Sequence, residues 1–340
     1  MNYYLFGKSG LRVSELALGT MTFGERWGWG ASKAESKAMF EAYAQAGGNF
    51  LDTANLYTEG ESEQFVGEFV AADRDHFVVA SKYSLGSVDS DANAVGNSRK
   101  SLMSSLKASL ERLQTDYLDI LWLHAWDGLT PVSEVMRALD DVVRMGLVRY
   151  LAVSDTPAWV VSQANTYADL RGLTPFTGLQ IEYSLIERTP ERDLLPMAHA
   201  FNMAVTPWGA LASGILTGKY NNAESAEGRI PAGHARLNEH NLHIAAEVSR
   251  VADELGITAS QVALAWLRQQ AGTMIPIVGA RKLSQLEDNL ASLKLELSAA
   301  HVQQLNDVSA IELGFPHSML NAEPAQKRLL GTAFGKLQRS

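Results

Sequence analysis

The sequence predicts one closed barrel of eight parallel strands, each followed by a helix, formed as a single domain by all 340 residues. Three observations predict this fold class. Short apolar runs alternate with stretches of helical periodicity, which indicates parallel strands joined by crossover helices. The runs are apolar throughout, as in strands buried on both faces of a sheet. The length suits a (β/α)8 domain with insertions, because about 250 residues is typical of such barrels.

Eight apolar runs are predicted to form the barrel strands, at residues 16–18, 49–52, 77–81, 118–124, 150–154, 178–180, 204–208 and 275–278. Helical periodicity occurs at residues 33–46, 98–113, 132–144 and 158–170. Ahead of the first barrel strand, residues 3–6 and 11–13 flank a Gly-rich turn, which indicates an N-terminal β-hairpin that plugs the bottom of the barrel. Residues 209–243 are predicted to be a long loop, and residues 312–340 an extra C-terminal helical segment over the barrel mouth.

A doubly wound sheet that binds a dinucleotide is the rival fold. It requires the motif G-x-G-x-x-G directly after a strand, where a helix N-terminus meets the pyrophosphate. The loop after the first barrel strand has Gly28 and Gly30, but Lys33 stands where the third glycine is needed. The barrel is therefore the better interpretation.

Composition excludes several classes of function. Lys and Arg number 29 against 38 Asp and Glu, a formal charge of −9, and an acidic surface repels nucleic acids. Cysteine is absent, which excludes disulfides, thiolate metal sites and a cysteine nucleophile. The N-terminus lacks the pattern of a signal peptide and no apolar run is long enough to span a membrane, so we expect a cytoplasmic protein. The sequence leaves the oligomeric state open.

Polar side chains end three consecutive predicted strands. Asp52 ends the second strand, Lys82 the third and His124 the fourth, and Tyr57 follows Asp52 closely enough for its loop to fold back. Because the catalytic groups of such barrels lie at the C-terminal ends of the strands, we expect these four side chains to meet.

The four residue types suit the protonation of a carbonyl oxygen. A tyrosine of ordinary pKa, about 10, is a slow acid at neutral pH, and a nearby ammonium is expected to lower that pKa. Lys82 supplies the ammonium, Asp52 keeps it charged, and a neutral His124 orients the carbonyl group. Tyr57 then gives its proton to the oxygen as hydride reaches the carbon.

With these residues in place, the sequence resembles the aldo-keto reductases, and among them the bacterial and potassium-channel β-subunit branches. The resemblance covers nearly the whole chain, from about residue 5 to residue 293. It rests on motifs in order: GNFLDTA at residues 48–54, SLERL at 109–113, DILWLH at 119–124, GLVRY at 146–150 and LTGKY at 216–220. The family's catalytic tetrad of Asp, Tyr, Lys and His falls on Asp52, Tyr57, Lys82 and His124.

The resemblance implies that NADPH, rather than NADH, is bound in an extended form across the strand ends, with a small carbonyl compound as substrate and no metal. The implied contacts of the nicotinamide end are Gly19, Thr20, Met21, Asp52, Ser154, Asp155, Gln180 and Trp208. Those of the pyrophosphate are Gly209, Leu211, Ser213, Gly214, Leu216 and Lys219, and those of the adenosine end are Gly279, Arg281, Gln285, Asp288 and Asn289.

Three positions depart from the family pattern. Asp155 stands where Asn is usual, and an ionised carboxylate accepts from the carboxamide NH2 but cannot donate to its oxygen. Ala210 replaces a common Pro. Gln285 replaces an Arg that some branches carry at the 2′-phosphate, although Arg281 and Lys282 remain as cations for that group.

Aromatic residues cluster beside the predicted site. The loop after the first barrel strand carries Phe23, Trp27 and Trp29, and the loop after His124 carries Trp126. Together with Tyr57 they are predicted to contact the substrate. The hypothesis is a preference for aromatic or bulky hydrophobic aldehydes and ketones.

Two other functions stand as alternatives. A cofactor-sensing subunit with little turnover is one, because β-subunit relatives bind nicotinamide cofactor and serve as partners of a larger assembly. A metal-dependent barrel hydrolase is the other, and the predicted loop contains His234, His240 and His243. Such hydrolases need His and carboxylates at several strand ends, whereas only His124 ends a strand here.

Overall fold

The N-terminal hairpin closes one end of the barrel in the computed structural model, which describes residues 1–87, 91–221, 230–231 and 233–337. Strand β1 (Tyr3–Leu5) pairs antiparallel with β2 (Arg12–Ser14). Between them, Phe6 is fully buried and packs edge-on against Phe50 and Trp122, with ring centroids 5.8 and 6.0 Å away. The predicted hairpin is therefore confirmed, and its aromatic ring fills the bottom of the barrel.

Eight parallel strands form the barrel, and each of them overlaps one of the predicted apolar runs. They are β3 (Ala17–Gly19), β4 (Phe50–Asp52), β5 (Val78–Tyr83), β6 (Leu118–Leu123), β7 (Val148–Ser154), β8 (Phe176–Glu182), β9 (Ala204–Trp208) and β10 (Ile277–Val278). Their spatial order is β10-β3-β4-β5-β6-β7-β8-β9. The ring closes through Val205, which donates to Thr273 O and accepts from the N–H of Ile275, both over 2.8 Å. The predicted fold class is confirmed.

Successive residues of a barrel strand face two different apolar layers. Ala80 and Trp122 belong to the cluster that fills the inside of the barrel together with Phe6. Val79 and Leu121 belong to the larger cluster between the strands and the surrounding helices. Because both faces are buried, the strands are apolar at nearly every position instead of alternating with polar residues.

Ten helices described here cover the barrel: α1 (Lys33–Gln45), α2 (Glu61–Val70), α3 (Arg99–Leu113), α4 (Val132–Arg144), α5 (Ala158–Arg171), α6 (Leu194–Ala200), α7 (Glu239–Leu255), α8 (Ala259–Arg268), α9 (Leu283–Ala291) and α10 (Ala299–Val308). Short 3-10 turns lie at Tyr57–Gly60, Ala71–Asp73, Thr189–Glu191, Ala212–Thr217 and Ser292–Lys294. The four helices predicted by periodicity are confirmed to within one residue at each end. In the described ranges, no helix has both the length and the apolar character needed to cross a bilayer.

The loop after β9 ends earlier than predicted. Helix α7 already begins at Glu239, because the side chain of Asn238 caps it by accepting the N–H of Asn241 over 3.0 Å. His240 and His243 are therefore helical residues, which corrects their assignment to a loop. The described part of the chain has no group of three His, Asp or Glu side chains that could hold a metal ion.

The C-terminal segment is helical, as predicted, and its described residues do not line the cavity at the barrel mouth. Its helices α11 (His317–Leu320) and α12 (Glu323–Leu330) contact each other and bury no side chain, and they are followed by a 3-10 turn at Gly331–Ala333. Phe315, just before α11, is 82% exposed. The residues that line the cavity at the mouth end at Asn289, so the described part of this segment does not contribute to the cavity wall.

Candidate active site

Asp52 and Lys82 form a buried ion pair at the C-terminal ends of β4 and β5. Lys82 Nζ lies 2.6 Å from Asp52 Oδ2, with the two side chains 0% and 3% exposed. The same ammonium donates to Thr53 O over 2.8 Å. Burial lowers the pKa of Lys82, but the neighbouring Asp52 and Tyr57 outweigh burial and the pKa is raised overall. Lys82 is therefore charged at neutral pH.

A turn with unusual backbone geometry directs Tyr57 toward this ion pair. Three successive residues after Tyr57 have left-handed φ values, of 46°, 56° and 84°. The fully buried Thr58 holds the turn in place, because its hydroxyl donates to Phe23 O over 2.7 Å. Tyr57 Oη lies 3.1 Å from Lys82 Nζ as a result, and Nζ lies 4.6 Å from the centroid of the phenol ring.

The pKa of Tyr57 differs from the expectation. Burial raises the pKa of the phenol, and the opposing effect of Lys82 offsets this only in part, so the pKa is raised overall. The expectation that Lys82 lowers this pKa below its ordinary value is therefore corrected. Tyr57 is fully protonated at neutral pH, as a proton donor must be, and Lys82 lies within hydrogen-bond distance of the oxygen on which negative charge would develop.

His124 follows β6 directly and faces Tyr57. The two rings lie 6.1 Å apart at an angle of 82°. Burial, together with the charge of Lys82, lowers the pKa of His124 to about 3. The imidazole is therefore neutral over the physiological pH range, as the sequence predicted. A neutral imidazole has one N–H to donate to a carbonyl oxygen.

One amide side chain and one hydroxyl side chain complete the floor of the site. Gln180 on β8 donates from Nε2 to Asp52 Oδ1 over 3.0 Å, which leaves its carbonyl oxygen available as an acceptor. Ser154, at the end of β7, has a buried hydroxyl oxygen without a hydrogen-bond partner among the described residues. A buried hydroxyl in a cavity wall normally has a partner, so this one fits a ligand that carries polar groups.

Asp155 lies at the wall of the same site with φ 38°, in the left-handed region. Its Oδ1 atom accepts the indole N–H of Trp208 over 3.2 Å. Burial raises the pKa of the Asp155 carboxyl group, while the bond from Trp208 and the charge of Lys82 act in the opposite direction. One carboxylate oxygen thus fixes the plane of the Trp208 ring.

Most of the predicted site residues line one cavity of about 550 Å³ at the C-terminal ends of the strands. The predicted residues that line it are Gly19, Met21, Trp27, Trp29, Asp52, Tyr57, His124, Ser154, Asp155, Gln180, Trp208, Gly209, Leu211, Ser213, Gly214, Lys219, Gly279, Arg281, Gln285, Asp288 and Asn289. The structure therefore brings together residues from every part of the barrel that the sequence associated with the site.

Five predicted site residues do not line the cavity: the fully buried Lys82, which reaches the site through Tyr57, and four predicted cofactor or substrate contacts. Thr20 and Leu216 are fully buried and do not line the cavity. Phe23 is 1% exposed and packs against Phe69 with ring centroids 6.3 Å apart, so it belongs to the core and not to the substrate wall. Trp126 packs against the core and is also absent from the cavity wall.

The structure adds two charged residues to the cavity that the sequence analysis missed. Arg236 donates to Glu182 through both of its terminal nitrogens, over 2.5 and 2.8 Å. Glu182 lies on β8 two residues after Gln180, and this spacing was enough to predict from the sequence that both side chains face the site. Arg236 lies before α7, and nothing in the local sequence indicated that it returns to the barrel.

The loop that carries Trp27 and Trp29 is attached to the N-terminus of α2. The two indole rings lie 5.7 Å apart and both line the cavity. Glu61, the first residue of α2, accepts the backbone N–H groups of Glu25 and Arg26 over 2.8 and 3.4 Å. One carboxylate thus fixes the aromatic loop beside the turn that carries Tyr57.

The turn after β9 has the geometry of an anion site. Leu211 has right-handed backbone angles, and Ala212, Ser213 and Gly214 follow with φ 48°, 57° and 91°. A right-handed residue followed by a left-handed one gives a concave turn that suits an anion. The N–H groups of Ala212 and Gly214 already donate to Gly209 O and Leu211 O over 2.6 and 2.8 Å, which leaves the other N–H groups and the side chains of the turn for an anion. Lys219 lies close, since a Cβ on Gly214 would stand 3.0 Å from Lys219 Nζ.

Comparison with known proteins agrees with this geometry. The model of the aldo/keto reductase family matches residues 15–310. The chain belongs to the aldo/keto reductase family. The resemblance predicted from the sequence motifs is therefore confirmed, and the chain is an oxidoreductase of a family that reduces carbonyl groups.

Individual relatives are similar to this chain over most of its length. The norsolorinic acid reductase of Aspergillus flavus is 39% identical over 338 residues, which cover 95% of this chain and 84% of the relative. The aryl-alcohol dehydrogenase [NADP(+)] of Phanerodontia chrysosporium is 39% identical over 333 residues, covering 91% of this chain and 86% of the relative. An aldo-keto reductase of Aspergillus calidoustus is 39% identical, with 93% and 84% covered.

Proposed function

We propose that this aldo/keto reductase is an NADPH-dependent enzyme that reduces aldehydes and ketones to alcohols, with Tyr57 as the general acid. The observation that carries the proposal is the shared position of the Lys82 ammonium, 2.6 Å from Asp52 Oδ2 and 3.1 Å from Tyr57 Oη. A buried phenol is suited to give its proton to an adjacent oxygen when it contacts a buried ammonium whose charge is balanced by a carboxylate.

Each protein group has one task in the proposed reaction. When bound, NADPH supplies a hydride, which carries the electron pair that reduces the carbonyl carbon. Tyr57 gives the proton of its hydroxyl group to the carbonyl oxygen, so that an alcohol forms and a phenolate remains. Lys82 stabilises that phenolate, and Asp52 keeps Lys82 charged in a buried site. His124 donates its single N–H to the carbonyl oxygen and orients it.

The residues present in the cavity fit a nicotinamide cofactor. The unpartnered Ser154 hydroxyl and the carbonyl oxygen of Gln180 provide a donor and an acceptor for a carboxamide group. Trp208, fixed by Asp155, offers a flat ring beside them. Because one oxygen of Asp155 already binds Trp208, we assign Asp155 to ring positioning in addition to its contact with the carboxamide.

The other end of the cavity fits the phosphates. The concave turn at Ser213 and Gly214, with Lys219 close by, suits a pyrophosphate. Arg281 and Gln285 line the adenosine end, where a guanidinium suits a 2′-phosphate. The carboxylate of Asp288 is bound by Thr258 and Gln261. These contacts support NADPH over NADH, and one relative named for NADP(+) supports the same choice.

The substrate end of the cavity is aromatic and apolar. Trp27, Trp29, Leu56 and Leu85 line it beside Tyr57. This wall supports a preference for aromatic or bulky hydrophobic carbonyl compounds, and the relatives named for aryl alcohols and for norsolorinic acid agree with it. The product is the corresponding alcohol.

The test is consumption of NADPH with an activated aromatic aldehyde by the wild type and by the variant Tyr57→Phe. The variant keeps the ring and removes only the acidic proton, so kcat should fall by about 10²–10⁴-fold, the usual contribution of a general acid. Tyr83→Phe is the matched control. Tyr83 is fully buried next to Lys82 in the chain, and its hydroxyl has no hydrogen-bond partner among the described residues.

Three outcomes separate the possibilities. Loss of turnover in Tyr57→Phe alone supports the acid role. Equal activity of Tyr57→Phe and the wild type means that another group supplies the proton. If the wild type binds NADPH but reduces no aldehyde, the reductase proposal fails and the cofactor-sensing subunit becomes the better function.

A further inference from the structure

Ser84 has a backbone conformation that side chains rarely adopt. Its φ is 97°, a region that is comfortable only for glycine, and the residue is 4% exposed. Ser84 follows β5 directly and is two residues after Lys82. A strained conformation persists only where the surrounding structure imposes it, and such residues concentrate at functional sites.

The hydroxyl group of Ser84 binds both backbone groups of one residue. Its Oγ donates to Ala125 O and accepts the N–H of Ala125, each over 3.1 Å. Ala125 is the residue directly after His124. The N–H of His124 itself donates to Tyr83 O over 3.0 Å. The last residue of β5 and the residue after it therefore hold the two consecutive residues that begin with His124.

Neighbouring groups reinforce this attachment. The buried Asn97 donates from Nδ2 to Ala125 O over 2.9 Å and accepts the N–H of Asp127 over 2.7 Å. Ser84 O accepts the N–H of Gly96 over 2.8 Å. The chain after β5 and the chain after β6 thus form one hydrogen-bonded unit, and the Ser84 hydroxyl lies at its contact with the catalytic strand ends.

From this geometry we infer that Ser84 is a positioning residue of the reaction: its hydroxyl sets the distance between His124 and the Tyr57–Lys82 pair. Glycine would adopt φ 97° without strain, but it has no hydroxyl. The strain is therefore the consequence of keeping a donor and acceptor at a position where the backbone favours glycine. The inference rests on the proposed function, because it assigns a residue to that same site.

The attachment bears on the reaction through alignment of the carbonyl group. His124 orients the substrate oxygen, and Tyr57 must reach the same oxygen. A displacement of about 1 Å between reacting groups can cost about 100-fold in rate. Leu85, the next residue, lines the substrate end of the cavity, and its carbonyl oxygen accepts from Asn55 Nδ2 over 3.0 Å. Loss of the hydroxyl should therefore disturb substrate placement but not NADPH binding.

Two substitutions separate positioning from stability. Ser84→Gly removes the hydroxyl and relieves the strain, whereas Ser84→Ala removes the hydroxyl and keeps the strain. The melting temperature should therefore be higher for Ser84→Gly than for Ser84→Ala. In both variants kcat with an aromatic aldehyde should fall at least about tenfold. A displacement of about 1 Å can cost about 100-fold, and the shift expected here is smaller. The Kd for NADPH should stay near the wild-type value.

The isotope effect supplies a readout that folding does not affect. The kinetic isotope effect on kcat is measured with NADPH that is deuterated at the transferred position. It should be larger in both variants than in the wild type, because slower hydride and proton transfer limits kcat more strongly. Gln114→Gly is the control, because Gln114 is an exposed residue with φ 51° at the end of α3, before the start of β6, whereas the site lies at the other end of that strand. It should change neither kcat nor the isotope effect.

The activities of the two Ser84 variants test the positioning role of the hydroxyl group. If Ser84→Gly retains kcat within about threefold of the wild type, a change below 1 kcal/mol in barrier, the inference is wrong. It is also wrong if activity follows melting temperature, so that only Ser84→Ala is impaired. A wild type that reduces no carbonyl compound overturns the proposed function and this inference with it, whereas active wild type with active Ser84→Gly overturns the inference alone.

Discussion

Gln180 Nε2 donates to Asp52 Oδ1 over 3.0 Å, so a residue of β8 reaches across the barrel to a residue of β4. The other oxygen of the same carboxylate binds Lys82 over 2.6 Å. Asp52 is thus engaged on both oxygens in a buried position. Asp52 balances the charge of the Lys82 ammonium beside Tyr57, and the hydrogen bond from Gln180 fixes the orientation of the Asp52 carboxylate.

Replacement of Asp52 by Asn should therefore destabilise the protein and impair the reaction. The substitution leaves Lys82 buried without a counter-charge, and breaking a buried pair from one side costs about 3–5 kcal/mol. Urea denaturation should show a loss of this size in the free energy of unfolding. Asp141→Asn is the control, because the Arg99–Asp141 pair is 51% and 42% exposed and contributes about 1 kcal/mol or less. Equal losses in the two variants would contradict the role of Asp52.

His124 should make the stability of the protein depend on acidic pH. Its pKa is about 3 in the folded protein and 6.5 without burial. The unfolded chain therefore binds a proton between these values that the folded chain does not, so stability is lost as pH falls from about 6.5 toward 3. Between pH 7 and pH 5 the loss from this group is about 2 kcal/mol.

The variant His124→Gln lacks the titrating group and should lose about 2 kcal/mol less over the same pH interval. Denaturant titrations of both proteins at pH 7 and pH 5 measure the difference directly. The same low pKa predicts that kcat of the wild type shows no titration of His124 between pH 6 and pH 8. Parallel stability curves for the two proteins would show that His124 is not held neutral by burial.

Arg281 should determine the choice between the two nicotinamide cofactors. It lines the adenosine end of the cavity, whereas its neighbour Lys282 does not. A charge-assisted hydrogen bond to phosphate contributes about 1.5–3 kcal/mol, so Arg281→Ala should raise KM for NADPH about 10–100-fold. KM for NADH, which lacks the 2′-phosphate, should change little. Lys282→Ala is the control, and a larger effect of that variant would transfer the role to Lys282.

The sequence was sufficient to predict the barrel and the group of polar side chains at its rim because both depend on local patterns. Asp52, Lys82 and His124 each end an apolar run, and the ends of parallel strands meet at one rim. The early start of α7 could also have been predicted, because Asn238 is a favoured helix N-cap residue before a periodic stretch.

Other features depend on contacts that no local pattern shows. Phe23 and Trp27 are aromatic residues of one loop, yet Phe23 turns into the core, and Gly24 between them has φ 112°. The Glu182–Arg236 pair joins residues far apart in the chain. The left-handed backbone of Ser84 cannot be predicted from the local sequence, because it depends on how the chain after β5 is joined to the chain after β6. Burial and long-range pairing decide these cases.

Substrate selectivity should depend on Trp29. Trp29 lines the cavity and Trp126 does not, although the sequence assigned both to the substrate. Trp29→Ala should lower kcat/KM for a bicyclic aromatic aldehyde by about 10-fold or more relative to a small aliphatic aldehyde, because loss of a stacked aromatic contact costs about 0.5–1.5 kcal/mol in addition to the lost apolar contact. Trp126→Ala should leave the ratio of the two values unchanged.

Glu61→Ala tests the same wall without removing an aromatic ring. It deletes the acceptor for the N–H groups of Glu25 and Arg26, so the loop that carries Trp29 loses its attachment to α2. The selectivity ratio should fall in the direction seen for Trp29→Ala but by a smaller factor, because both rings remain. Glu35→Ala, at the start of α1, is the control for loss of a carboxylate that accepts a backbone N–H. A ratio that changes with Trp126→Ala or Glu35→Ala as much as with Trp29→Ala would mean that general loosening of the barrel mouth, and not the aromatic wall, sets substrate preference.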